Sequence, residues 1–162
     1  PTGPMHIGNA RGGAIGDCLA SVLDWAGYDV TREFYVNDAG NQIEKFATSL
    51  EVRYLQLYKD GIELPEDAYK GDDIIEHAKA FAEINGDKFV EAESADRRKA
   101  LVDYALPLNI AKLKSDLEKY RIFYDVWFLE SGLHNSGKVM EVVDGKINIL
   151  LEPGEGCMII PN

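Results

Sequence analysis

The sequence predicts an α/β fold with a parallel sheet, and three observations lead to this prediction. Two segments rich in aromatic and β-branched residues, 29–36 and 121–130, have the character of strands. Helical patterns alternate with them, as is typical of a parallel sheet. A glycine-rich turn opens the first helix within residues 6–16, and such turns normally follow a strand. Because the chain begins in that turn, we expect a fragment whose first strand precedes residue 1.

The composition indicates a globular domain and excludes several other classes. With 162 residues the chain is long enough for one domain with a sizeable core but too short for two full ones. No apolar run approaches ~18 residues, and the polar, glycine-rich start lacks the hydrophobic region of a signal peptide. Cys18 and Cys157 lie far apart, and neither belongs to a CxxC pair. We therefore expect reduced cysteines, a cytoplasmic location and no membrane partner.

The charge of the chain limits one class of partner. Its formal net charge is −11, whereas nucleic-acid-binding domains usually carry a basic footprint. Many of the acidic residues lie in the helical stretch 60–120, where runs of charge most simply form a solvated face. We therefore expect little nucleic-acid binding by this chain alone.

The first part of the chain predicts a helix, a strand and a second helix. Apolar or small residues recur at helical spacing over residues 6–27. Apolar and polar residues alternate over 29–36, as they do in a strand. Asn37 and Asp38 follow as a turn or an N-cap, and residues 39–59 place their apolar side chains on one side of a second helix.

The second part of the chain predicts a helical block followed by a return to the sheet. Its elements are, in order, a loop, two helical regions, a strand, a short helix and a strand candidate, at residues 60–71, 72–85, 94–120, 121–130, 136–143 and 147–151. Pro107 lies inside the second helical region and predicts either two helices or one kinked helix. The helical block between the strands is typical of an insertion.

The glycines at the start of the first helix indicate a functional role. Gly8, Gly12, Gly13 and Gly16 each cost roughly 1 kcal/mol of helix stability relative to alanine. Glycine is useful where a ligand or a neighbouring strand approaches the backbone closely, and a helix N-terminus binds phosphate readily. His6 at this end either donates a hydrogen bond to a phosphate oxygen or serves as a solvated cap. The pattern is neither a P-loop nor the dinucleotide GxGxxG motif.

Three ordered blocks carry a resemblance to a known family. PTGPMHIGN at the start resembles the HIGH signature of class I aminoacyl-tRNA synthetases, and its PTGP is similar to the arginyl enzymes in particular. EFYVNDAGNQIEKF, residues 33–46, and IFYDVWFLESGLHNSGKV, residues 122–139, resemble two later segments of the arginyl family. A lone HxGH is a weak signal, but three blocks in family order are specific. The resemblance covers residues 1–143, and residues 144–162 do not match convincingly.

The resemblance implies a Rossmann-like, nucleotide-binding half of a class I catalytic domain. Its N-terminal part would be 1–59, its helical insertion 60–120, and its return strand and partial continuation 121–162. Such a domain belongs to an arginine–tRNA ligase, which activates arginine with ATP and Mg²⁺ and transfers it to tRNA(Arg). The Mg²⁺ would arrive with the ATP, without a metal site in the protein.

The family motif also assigns roles to individual residues. By position, the catalytic residues would be His6 and Asn9, which stabilise the charge of the reacting phosphates. The residues expected at the ATP are Pro4, Met5, His6, Gly8, Asn9 and Gly12. The residues expected at the substrate are Asn37, Asp38 and Gln42, for which an N-cap with a first-turn amide is the competing interpretation.

Two departures from the family pattern bear on activity. Asn9 stands where the common motif has a second histidine; asparagine still donates hydrogen bonds but cannot become cationic. The chain also has no Lys-Met-Ser-Lys-like loop. We therefore expect a partial catalytic domain that is inactive alone. The alternative is a non-catalytic, nucleotide-binding or structural fragment of the same fold.

Overall fold

The computed structural model describes residues 1–143, which form a mostly helical structure with a two-stranded parallel sheet. The elements are, in chain order, α1 (Ile7–Trp25), β1 (Glu33–Val36), α2 (Asn41–Leu55), α3 (Asp72–Asn85), α4 (Ser94–Lys119), β2 (Val126–Leu129), α5 (Glu130–Asn135) and α6 (Lys138–Glu141). The strand candidate at 147–151 lies outside the described residues. None of the helices described has the length and apolar character needed to cross a bilayer.

The two strands pair in parallel, as the alternation of elements predicts. Glu33 lies opposite Val126 and Val36 opposite Leu129, so the carboxyl ends of both strands meet at one edge. Stacked rings stabilise the pair, with the Phe34 and Trp127 centroids 4.6 Å apart. The two predicted strand segments are right in place but longer than the observed strands of four residues each.

Most of the predicted helices are confirmed, and two predictions need correction. Helix α4 is a single helix that continues through Pro107, whereas one alternative was a break into two helices. The short helix predicted over 136–143 is observed as α6, which is shorter, and the prediction missed α5, which lies directly before this range. Helix α5 already begins at Glu130, and Gly137 then adopts a left-handed conformation with φ 76° that separates α5 from α6.

The core of the described chain lies in what we call the helical block, formed by α2, α3 and α4. Each of these helices buries one apolar stripe against the other two, with these buried residues: Phe46, Leu50, Tyr54, Ile74, Ala78, Phe81, Leu101 and Ala105. The Tyr54 hydroxyl donates to the Gly86 carbonyl at 2.7 Å, so the largest buried side chain also satisfies its polar atom.

A buried ionic cluster joins α2 to α4 beside this core. Glu51 is 5% exposed and accepts hydrogen bonds from Ser94 Oγ at 2.7 Å, Arg97 Nε at 3.0 Å and Arg98 Nε at 2.5 Å. Burial alone would raise the pKa of Glu51, but hydrogen bonds from Ser94, Arg98 and Arg97 outweigh it and hold the pKa below its ordinary value. The Glu51 carboxylate is therefore ionised at neutral pH, and both of its oxygens accept hydrogen bonds.

Helix α1 packs very differently from the helical block. Within the part of the chain that the structure describes, its only buried residue is Gly13, and a Cβ atom there would lie 3.3 Å from Leu117 Cδ2 of α4. Leu19 and Val22 of its predicted apolar face are 59% and 64% exposed. Arg32 holds the helix to the start of β1 through Asp17 and Ser21. The apolar pattern of α1 is thus real, but residues 1–143 leave most of it uncovered.

Candidate functional site

A cavity of about 470 Å³ opens beside the N-terminus of α1. Its volume falls in the range of small-molecule sites. Segments far apart in the sequence meet there: the start of the chain, the β1–α2 region, the loop that enters α3, and one side chain of α4. The lining residues are Pro1, Thr2, Gly3, Pro4, His6, Asn9, Phe34, Gln42, Tyr69, Lys70, Gly71, Asp73 and Leu113.

His6 and Asn9 form a reciprocal cap at the start of α1. His6 Nδ1 accepts the backbone N–H groups of Gly8 at 3.1 Å and Asn9 at 3.4 Å. Asn9 Oδ1 accepts the backbone N–H of His6 at 3.4 Å. This is a capping box with histidine and asparagine in place of the usual side chains. His6 can therefore cap the helix and still donate a hydrogen bond to a phosphate, because capping uses only one of its ring nitrogens.

The cap also fixes which atoms remain for a ligand. Since Nδ1 of His6 is the acceptor in the cap, the proton of the neutral ring lies on Nε2. The Asn9 amide group uses its oxygen in the cap and keeps its Nδ2 donor. Both side chains are exposed and line the cavity. The first turn of α1 contains no acidic residue, so no carboxylate of its own first turn offsets the positive end of its dipole.

The glycines of α1 have separate structural explanations. A Cβ atom on Gly8 would lie 3.0 Å from the His6 ring, so glycine lets the imidazole fold back over the helix end. Gly13 admits the side chain of Leu117, which is a close approach by a helix. Gly12 and Gly16 face open space within the described residues. Only the first of these positions shapes the cavity, and it acts through His6.

The residues predicted at the ATP divide between the cavity and its surroundings. Pro4, His6 and Asn9 line it, and Gln42 joins them from the first turn of α2. Met5 instead lines a second cavity, which shares Gly3 and Pro4 with the first. Neither Gly8 nor Gly12 is part of the lining of either cavity. The structure thus groups Gln42 with the HIGH-type residues, which sequence spacing alone does not require.

Asn37 and Asp38 lie at the carboxyl edge of the sheet and contact the end of β2. Asp38 Oδ1 accepts the Ser131 backbone N–H at 2.8 Å, and Oδ2 accepts the Ser131 hydroxyl at 2.6 Å. The Asn37 amide, oriented to satisfy its neighbours, donates to Glu130 Oε2 at 2.9 Å. Both carboxylate oxygens of Asp38 are therefore engaged in holding the first turn of α5 against the end of β1.

Sequence reasoning missed the loop that enters α3. Tyr69, Lys70 and Asp73 lie in the stretch that its acidic composition marks as a solvated insertion, yet all three line the cavity. No local motif identifies them, because their position depends on how α2 and α3 pack. The described residues contain no group of three or more His, Cys, Asp or Glu side chains arranged to hold a metal ion.

Comparison with known proteins identifies relatives of this chain. Residues 2–70 match the family described as tRNA synthetases class I (R), catalytic domain. The arginine–tRNA ligase of Ruminiclostridium cellulolyticum is 63% identical over 145 residues, which are 88% of this chain and 26% of that protein. The arginine–tRNA ligase of Acetivibrio thermocellus is 60% identical over 156 residues, covering 95% of this chain and 27% of that protein.

A solved structure gives the same result in three dimensions. A chain from Campylobacter jejuni described as an arginyl-tRNA synthetase superposes with a TM-score of 0.74 at 32% identity. The superposition covers 94% of this chain and 34% of that one.

The fold, the capped HIGH-type motif and these matches define a part of a class I tRNA synthetase catalytic domain. Within that class, the chain belongs to the arginyl-tRNA synthetase family. It spans about a quarter of the length of the curated relatives, 26% of the first and 27% of the second. The resemblance drawn from three sequence blocks is therefore confirmed.

Proposed function

We propose that this chain is the nucleotide-binding part of an arginine–tRNA ligase, a Rossmann-like half-domain that activates arginine with ATP. The observation that carries the proposal is the pairing of His6 and Asn9, which line one cavity at a helix N-terminus whose first turn has no acidic residue. Family membership supports the choice of arginine, ATP and tRNA(Arg) as substrates. The division into 1–59, an insertion at 60–120 and a continuation at 121–162 belongs to the same proposal.

The proposed chemistry is adenylate formation followed by acyl transfer. A carboxylate oxygen of arginine attacks the α-phosphorus of ATP, the bond to the bridging oxygen breaks, and pyrophosphate leaves. The terminal ribose hydroxyl of the tRNA then attacks the arginyl carbonyl, and AMP leaves. Negative charge builds up on the phosphate oxygens in the first step, where His6 Nε2–H and Asn9 Nδ2–H would stabilise it. Mg²⁺ would enter with the ATP and neutralise part of the same charge.

The competing proposal is a non-catalytic fragment that keeps the fold and at most binds nucleotide. The exposed apolar face of α1 and the limited coverage of the relatives favour it for the 162-residue chain in isolation. We accordingly expect weak ATP binding by this chain and no arginine-dependent ATP–pyrophosphate exchange. Clear exchange by the isolated chain would refute the expectation that it is inactive alone.

A chimaera separates the two proposals. This chain replaces the matching 145 residues of the Ruminiclostridium cellulolyticum ligase, and arginine-dependent ATP–pyrophosphate exchange is measured. We expect an active chimaera in which His6→Ala lowers the exchange rate by about 10²- to 10³-fold, as for the loss of one charge-stabilising donor. His134→Ala is the matched control, since His134 is exposed on α5 and lines none of these cavities. A folded but inactive chimaera, or an undiminished His6→Ala variant, would contradict the catalytic proposal.

A further inference from the structure

The loop from Tyr69 to Asp73 contributes Tyr69, Lys70, Gly71 and Asp73 to the lining of the cavity that His6 and Asn9 also line. It comes from the helical stretch, about 60 residues further along the chain than the HIGH-type motif. The cavity is therefore not a feature of the N-terminal motif alone. Whatever binds beside His6 also meets the side chains of this loop.

The loop is fixed at both ends, so its side chains are held in place. The Tyr69 backbone N–H donates to Ser49 Oγ at 2.8 Å, and the Ser49 hydroxyl donates to the Lys45 carbonyl at 2.6 Å. Ser49 is fully buried, so this relay ties the loop to α2 inside the structure. After the loop, Ile74 is 1% exposed and anchors the first turn of α3 in the core. The loop is therefore held in a fixed position relative to the helical block.

The same loop contacts the start of the chain. The Thr2 hydroxyl donates to the Tyr69 hydroxyl at 3.5 Å, a long hydrogen bond across the cavity wall. Asp73 Oδ2 lies near Gly3, where a Cβ atom would be 3.7 Å away. These contacts place Tyr69 and Asp73 against the segment that leads into His6.

Among residues 1–143, Lys70 is the only lysine or arginine in the cavity lining. The lysines that form ion pairs within residues 1–143 are Lys45, Lys59, Lys99, Lys112 and Lys119. Lys70 is thus not in an ion pair there, even though Asp73 lies three residues away. The Asp73 carboxylate instead folds back over the start of its own helix, where a Cβ atom on Gly71 would overlap Oδ1. The helix dipole stabilises a carboxylate in that position.

From this arrangement we propose that Lys70 binds the phosphate chain of the nucleotide in the cavity that it shares with His6 and Asn9, and that Tyr69 is the positioning residue that holds the loop against Thr2. This inference rests on the proposed nucleotide site and adds a positively charged side chain to it. His6 and Asn9 supply neutral hydrogen-bond donors, whereas a polyphosphate carries several negative charges. The lysine ammonium is a compact charge with three donors, which suits phosphate oxygens.

The test uses the full 162-residue chain labelled with ¹⁵N and titrated by NMR with ATP, inorganic pyrophosphate and adenosine. We expect Lys70→Gln to weaken ATP and pyrophosphate binding by about tenfold, the loss typical of a hydrogen bond to a charged group. Adenosine binding is expected to stay unchanged, because adenosine has no phosphate. Lys70→Arg is expected to retain most of the affinity, since it keeps the charge.

Lys79→Gln is the matched control, because Lys79 is exposed on α3 and does not line the cavity. If Lys70→Gln binds ATP and pyrophosphate as Lys79→Gln does, the role of Lys70 is refuted while the nucleotide site stands. If Lys70→Gln weakens adenosine as much as pyrophosphate, its effect is structural and the proposal also fails. If the wild-type chain binds none of the three probes, the nucleotide site itself is refuted, and the inference with it.

Discussion

The helical block and α1 have similar apolar patterns and very different surroundings. Leu50 in α2 is fully buried, whereas Leu19 in α1 is 59% exposed. The helical block covers its apolar stripes with its own three helices, while α1 touches the rest of the described chain mainly through Gly13. An amphipathic pattern therefore indicates that a helix has a face to bury, but not which surface buries it.

The candidate site lies where these two regions meet. His6 and Asn9 come from the end of α1, and Tyr69 and Lys70 come from a loop fixed to the helical block. A well-packed scaffold thus holds one wall of the cavity, and a loosely covered helix holds the other. The stability of each region can be changed separately, and three substitution experiments compare them.

The largest expected difference comes from the same substitution made once in each region. Leu50→Ala removes a fully buried side chain and is expected to lower the free energy of unfolding by about 2–5 kcal/mol. Leu19→Ala is expected to change it by no more than about 0.5 kcal/mol, because most of that side chain is already in water. Urea denaturation followed by circular dichroism measures both. Equal losses would show that α1 is covered in solution.

An intermediate effect is expected at Glu51, and it depends on pH. Its pKa is lowered in the folded chain, so the unfolded chain binds more protons at acidic pH. The stabilisation is present above the ordinary glutamate pKa of about 4.3 and is lost as pH falls through the lowered folded value. Glu51→Gln is expected to cost about 1.5–3 kcal/mol at pH 7 and to flatten the pH dependence of stability below about pH 4.3.

Urea titrations at a series of pH values would measure this dependence. Glu91→Gln serves as the control, because Glu91 is exposed and pairs with Lys59 at the surface. A Glu51→Gln variant whose stability follows pH as steeply as the wild type would show that the buried cluster does not contribute to acid unfolding.

The smallest expected effect distinguishes two glycines of α1. Gly16→Ala is expected to raise stability by about 0.4–1 kcal/mol, because alanine favours helix and open space surrounds the position. Gly13→Ala is expected to lose that gain, since its Cβ atom would press on Leu117. Thermal unfolding of the two variants gives the comparison. A gain at Gly13 as large as that at Gly16 would show that α1 does not rest on α4.

Much of the local structure follows from the sequence, and the errors have identifiable causes. The helices of the block are predictable because their apolar residues recur at helical spacing and glycines end them, as Gly86 ends α3. Pro107 led to the alternative of two separate helices, but α4 continues through it, since tertiary packing outweighs the local cost of proline. The start of α5 at Glu130 was not predictable, because Asp38, which follows β1, accepts the backbone N–H of Ser131 in its first turn.

The sequence by itself determined the family and the identity of the central pair at the site. Three motif blocks in order are specific, and His6 with Asn9 follows directly from the first of them. These are local features, which one short stretch of chain carries completely.

Tertiary structure alone decided what surrounds that pair. In the folded chain His6 and Asn9 form a capping box, Asp38 accepts a hydrogen bond from Ser131, and the Tyr69–Asp73 loop lines the cavity. Each of these outcomes depends on contacts between residues brought together by the packing of helices and strands. The spacing of residues in a sequence records the period of each element, but the relative positions of the elements arise only when their apolar faces are buried together.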